Sequence, residues 1–90
     1  ITKTGQIQSY GRSKMKDTIA NAISNEIKFD KLDVEGSESK YTVNIISDEF
    51  IGKTIIQRHK MIYAVLDQYI KTGEIHALTI KAMTLDESKI

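Results

Sequence analysis

The sequence predicts an α+β domain in the order helix, strand, strand, helix, strand, with helices covering one face of a three-stranded mixed sheet. Three observations carry this prediction. Met15, Ile19, Ala22, Ile23 and Ile27, and later Ile55, His59, Ile62, Leu66 and Tyr69, recur at helical steps of three or four. Tyr41 to Ser47 and Ile75 to Met83 alternate at a period of two. The chain has 90 residues and no proline, a length at which folding buries somewhat over ~60% of the unfolded surface around a single core.

Taken in order, residues 1–12, with Gly5 and Gly11 and no apolar period, predict a mobile leader. The domain spans 13–84. Ser13 is placed to cap the first helix, and Asp17 faces the positive end of its dipole. That helix ends near Glu26. A short extended segment, about Lys28 to Leu32, leads into Asp33-Val34-Glu35-Gly36-Ser37-Glu38-Ser39, read as a turn-rich acidic loop. In the next strand Tyr41, Val43 and Ile45 alternate with Thr42 and Asn44. Asp48 to Gly52 punctuates the chain, and a second helix runs from about Thr54 to Ile70, its stripe flanked by Ile56, Tyr63 and Ile70. Lys71-Thr72-Gly73 stops it, the glycine suiting a left-handed helix end. The last strand puts His76, Leu78, Ile80 and Ala82 on one face, and residues 85–90 form a short polar tail.

Connectivity constrains the site. A short loop makes the first two strands antiparallel, and a crossover helix makes the second and third parallel. The Lys31 to Ser39 loop, the start of the second strand and the start of the third then share one edge, with His76 on it. His59 lies ~16 Å back along the helix axis from its end, level with Ile80 or Lys81 at ~3.3 Å per strand residue. A chelate between the two histidines of one chain is therefore disfavoured. His59 falls on the apolar stripe and reads as a structural, half-buried histidine bonded to backbone. For His76 an exposed ligand and an ordinary surface histidine are equally compatible with the spacing. Arg58 and Lys60 point away from the stripe and, with Lys53, form either a small basic patch for phosphate or an acidic protein surface, or isolated solvated charges.

Composition narrows the chemistry. Thirteen basic and twelve acidic residues leave a net charge of +1, without the global field of nucleic-acid or membrane binders. No apolar run reaches the ~20 residues that span a bilayer. The chain starts at Ile1, which leaves targeting open. With no cysteine there are no disulfides, thiolate metal sites or thiol redox chemistry, so His59 and His76 are the only groups through which metal or acid-base function near neutral pH can run. The glycines at 5, 11, 36, 52 and 73 never stand three apart, so the Gly-x-x-Gly clamp of KH modules is missing, which weakens direct RNA binding. Asp33, Glu35 and Glu38 lack the cleft that hydrolytic carboxylates need, and no hydroxyl has a base beside it, so enzyme activity is not expected.

Four motifs, Gly36-Ser37-Glu38-Ser39 ahead of a strand, Ser47-Asp48-x-Phe50-x-Gly52, Gln57-Arg58-His59-Lys60-Met61-Ile62-Tyr63 and Ile75-His76-Ala77-Leu78, occur in an order and at spacings that resemble the BolA family. The resemblance covers essentially the whole domain. It implies a class II KH-like fold and a non-enzymatic adaptor that partners a monothiol glutaredoxin in [2Fe-2S] cluster assembly, trafficking or sensing. It also implies that His76 is a cluster ligand; the basic residues Lys53, Arg58 and Lys60 are then the expected partner-binding face. The family's second ligand, histidine or cysteine, lies in the loop between the first two strands. Here the aligned position is Lys31 and the loop has neither residue, which leaves Asp33 or Glu35 as oxygen substitutes that suit such clusters poorly. Glutaredoxin cysteine and glutathione would supply the thiolates; the isolated chain is expected to be a monomer without cofactor and without a membrane partner. Imidazole in place of sulfur raises a cluster's potential and makes it sensitive to protonation. A cytoplasmic or mitochondrial location is expected. The second role the resemblance implies is a nucleic-acid-binding transcriptional regulator of stress responses; a third is an interaction module without metal.

Overall fold

A computed structural model of the chain describes residues 14–89. The leader at 1–12, the Ser13 cap and the final residue of the tail lie outside the described residues. The first helix, α1, is Lys14–Glu26, and β1 (Lys31–Ser37) and β2 (Lys40–Ile46) follow. A 3-10 turn, Asp48–Phe50, leads to α2 (Ile55–Lys71), β3 (Ala77–Met83) and a short α3 (Leu85–Ser88). The sheet order is β1-β2-β3, with β1 antiparallel and β3 parallel to β2. The α+β class and strand directions are those expected from the sequence.

The segment read as an acidic loop is instead most of β1. Leu32 and Val34 point toward the helices while Lys31, Asp33 and Glu35 face solvent, the alternation of a strand wet on one face. Clustered acids and a glycine masked that period. β1 and β2 are joined through Glu38 and Ser39 alone, with φ of 52° and 70°, both in the left-handed region, as a two-residue hairpin turn of matching twist requires. Gly36 has φ 121°, and a Cβ there would run into the carbonyl oxygen of Lys40.

Inside, Ile19, Ile23 and Ile27 of the α1 stripe pack with Tyr41, Val43 and Ile45 of β2, Ile80 of β3 and Ile62 and Leu66 of α2. Phe50, fully buried, joins them from the 3-10 turn. Ser47 fixes that turn. Its buried hydroxyl donates to the carbonyl of Lys28 at 2.5 Å and accepts from the Glu49 N–H at 3.0 Å, while the Lys28 N–H donates to Glu49 Oε2 at 2.6 Å. The Ser47-Asp48-x-Phe50 motif thus ties the α1–β1 link to the end of β2.

α2 begins at a capping box. Thr54 Oγ1 accepts from the Gln57 N–H and Gln57 Oε1 accepts from the Thr54 N–H, satisfying two end donors at once. The buried residues of α2 are Arg58, Ile62 and Leu66, so the stripe is rotated from the expected one. Ile55 is 67% exposed although it stands two turns before Ile62; Arg58 takes the inward place. The polar tail is likewise corrected: residues 85–88 form α3, capped by Thr84, whose Oγ1 accepts from the Glu87 N–H while Glu87 returns a carboxylate to the Thr84 N–H.

Candidate functional site

β3 has two contrasting ends. At its start, the chain leaves α2 through Gly73 (φ 85°) and the Ile75 N–H donates to the Tyr69 carbonyl at 3.0 Å. The N–H groups of His76 and Ala77 then both donate to the carbonyl of Ser39, at 2.7 and 3.1 Å. His76 is thereby held by its backbone against the β1–β2 turn, as the edge argument from connectivity requires. Its ring lies over Gly73: a Cβ there would stand 3.8 Å from Nε2 and 3.9 Å from Cε1. His76 is exposed, and among the described residues neither ring nitrogen has a hydrogen-bond partner. An imidazole on a pinned backbone with free nitrogens suits coordination of a group brought from outside.

The rest of the expected ligand set does not assemble around it. Asp33 shares its rank with Asn44 and Lys81, five residues beyond His76, or ~16 Å along the sheet. Glu35 ranks with Thr42 and Thr79, ~10 Å along and two strand spacings of ~4.8 Å across. Both project from the sheet face rather than from a loop beside His76, which corrects their placement as companions of the histidine. The hairpin residues beside His76 are Glu38 and Ser39. Among the described residues no three histidine, cysteine, aspartate or glutamate side chains form a group able to hold a metal ion. Among the described residues the chain therefore assembles no ligand set for a resident cluster.

His59 is half-buried, as its stripe position predicts, but no hydrogen bond is made by its ring among the described residues. Its neighbour reverses the expectation more sharply. Arg58 is buried and donates from Nε to the Lys53 carbonyl at 3.0 Å and from one terminal nitrogen to the Ala82 carbonyl at 3.0 Å. The two terminal nitrogens also grip Glu87 at 2.6 and 3.1 Å, and the guanidinium carbon stands 5.8 Å from the centre of the Phe50 ring. Hydrogen bonds from Arg58, then from the Thr84 backbone, hold the Glu87 carboxyl down to about 2, and the same bond from Glu87 raises the guanidinium. Arg58 is therefore not part of an outward basic patch, since it is buried and each guanidinium nitrogen is bonded within the chain; Lys53 and Lys60 remain exposed. Because Arg58 reaches Ala82, the turn carrying His59 lies near the far end of β3, away from His76. Glu87 escaped the sequence reading, although Thr84-x-x-Glu87 is a capping-box signal.

One-sided helices over a three-stranded mixed sheet, with an exposed histidine just ahead of a parallel edge strand, define a small α+β domain. The chain belongs to the BolA family: the sequence pattern described as BolA-like protein matches residues 13–87. It is 33% identical over 70 residues to Protein BOLA2 of Arabidopsis thaliana, covering 73% of each chain. It is 40% identical over 52 residues to the DNA-binding transcriptional regulator BolA of Escherichia coli, covering 58% of this chain and 49% of that protein. Its fold superposes on the BolA domain of SufE1 from Arabidopsis thaliana with a TM-score of 0.73 at 32% identity, covering 88% of this chain and 99% of that one. No helix among the described residues is long and apolar enough to cross a membrane.

Proposed function

We propose that this chain is a non-enzymatic adaptor for a monothiol glutaredoxin, lending His76 as one ligand to a [2Fe-2S] cluster whose thiolates come from the glutaredoxin cysteine and glutathione. The observation that carries this reading is the geometry of His76, with its backbone fixed by Ser39 and, among the described residues, no hydrogen-bond partner on either ring nitrogen. Membership of the BolA family supports it. The absence of cysteine makes the cluster a shared cargo, because a cluster needs four ligands and this chain supplies one. Lys53 and Lys60, exposed near the start of α2, are proposed as partner contacts without Arg58. Mixing the chain with a glutaredoxin carrying a glutathione-ligated cluster, and recording visible absorption and circular dichroism, tests the proposal. The expected result is a changed cluster spectrum at one-to-one stoichiometry; an additive spectrum refutes it.

A second reading, nucleic-acid binding, draws on the name of the Escherichia coli relative. The net charge of +1 and the burial of Arg58, which removes a cation from the α2 surface, count against it. Binding to duplex DNA that weakens steeply with salt would favour it.

A further inference from the structure

The helices cover one face of the sheet, and among the described residues no element packs on the other. Across that face the register sets three residues in each rank: Glu35, Thr42 and Thr79; Asp33, Asn44 and Lys81; Lys31, Ile46 and Met83. The second and third ranks line a shallow groove of about 380 Å³. Asp33 and Lys81 stand on the outer strands, ~9.6 Å apart across β2. Among the described residues neither has an ion-pair or hydrogen-bond partner from its side chain.

We infer that this face is a self-association surface, on which two copies stack face to face about a twofold axis running along β2. That operation carries β1 of one copy over β3 of the other within the same rank. Each Asp33 then lies over Lys81 of the partner subunit, and the two unpaired charges of one copy become two ion pairs between copies. Asn44, on the axis, meets its own counterpart with a donor and an acceptor on each amide. Ile46 meets Ile46 of the partner subunit, with Met83, 37% exposed, beside it. The alternative twofold axis, across the strands through the Asp33 rank, sets Lys31 over Glu35 but stacks Asp33 on Asp33 of the partner subunit and Lys81 on Lys81 of the partner subunit, so it pairs neither of the two charges left without a partner. The approximately 30° between aligned stacked sheets displaces the flanking strands by only ~2–3 Å, within the reach of a lysine.

The face is small, about 23 Å along seven residues and about 14 Å across three strands, well below the ~800 Å² per partner of a stable interface. The dimer is accordingly weak, with the chain a monomer at micromolar concentration and associated toward the millimolar range. Both copies keep His76 at the same end of the stack, so the inference stands independently of the cluster reading.

Sedimentation equilibrium of the full chain from 20 μM to 2 mM, with amide shifts of Thr42, Asn44 and Ile46 followed over the same range, tests it. Mass should rise with concentration, the three amides should shift together, and raising salt should weaken the association. Asp33→Lys and Lys81→Asp should each weaken it at least tenfold while leaving the fold unchanged, since both residues are exposed. An equimolar mixture of the two variants should recover it, because in the mixed dimer every lysine faces an aspartate. Constant mass to 2 mM, a dimer indifferent to both reversals, or a mixture that recovers nothing would each overturn the proposal.

Discussion

The two ends of β3 hold a motif residue in opposite ways. At the Ala77 end, His76 is fixed through its backbone, by the Ser39 carbonyl and the Gly73 turn, and its ring has no hydrogen-bond partner among the described residues. At the Met83 end, the side chain of Arg58 is itself fixed, by two carbonyls, the Glu87 carboxylate and the Phe50 ring. A side chain that makes all its bonds internally has none to offer a partner; one whose backbone bears the constraint keeps its chemistry free. The two residues lie in motifs of similar appearance, and the difference between them is where the hydrogen bonds fall.

This contrast makes a graded set of predictions. The largest effect belongs to the backbone that supports His76. Gly36→Ala adds a Cβ against the Lys40 carbonyl at φ 121°, and should cost on the order of 3 kcal/mol or more, lowering the melting temperature by more than ~10 °C. A variant that melts with the native chain would show that the hairpin is not rigid. Next comes Arg58→Ala, which leaves two carbonyls and a carboxylate without their donor and should cost about 2–3 kcal/mol by chemical denaturation. If Arg58→Ala instead kept full stability and lost only partner affinity, the opposition between the two ends would collapse.

The Arg58 end also carries a pH signature. Since the Glu87 carboxyl sits at about 2 in the folded chain, below its unfolded value, its contribution is complete above the ordinary carboxylate range and is lost as pH falls from there toward 2. Thermal melts of the wild type and Glu87→Gln should therefore differ most at pH 7, with the gap narrowing steadily below the ordinary carboxylate range as pH falls toward 2; a constant gap would mean that the ion pair contributes nothing. Smaller still is His59→Ala, expected to cost about 1 kcal/mol or less, because the ring is half-buried and makes no hydrogen bond among the described residues.

Periodicity made the strand order, the parallel β3 and the place of His76 legible before any coordinates, because apolar spacing and loop length together determine which strand ends meet. It was less informative where two phases fit. Ile55, His59, Ile62 and Leu66 satisfy helical spacing as well as Arg58, Ile62 and Leu66 do, and only the partners contributed by Glu87, Ala82 and Phe50 turn Arg58 inward. β1 was concealed for a different reason. Its outward face carries Lys31, Asp33 and Glu35, whose charge reads as loop even though Leu32 and Val34 keep the strand period. Within the site, the histidine was visible, whereas its isolation from Asp33 and Glu35 depends on hairpin register, which hangs on a two-residue turn that composition does not announce.

The measurement that bears most directly on the account is the spectrum of His76→Ala mixed with a cluster-loaded monothiol glutaredoxin. His76 is exposed and its N–H to Ser39 survives the substitution, so stability should change by less than ~1 kcal/mol. The predicted result is a folded variant that leaves the glutaredoxin cluster's circular dichroism as it is alone, where the wild type alters it. A His76→Ala complex with the wild-type spectrum would contradict the account, because the free imidazole at the head of β3 would then not be the ligand.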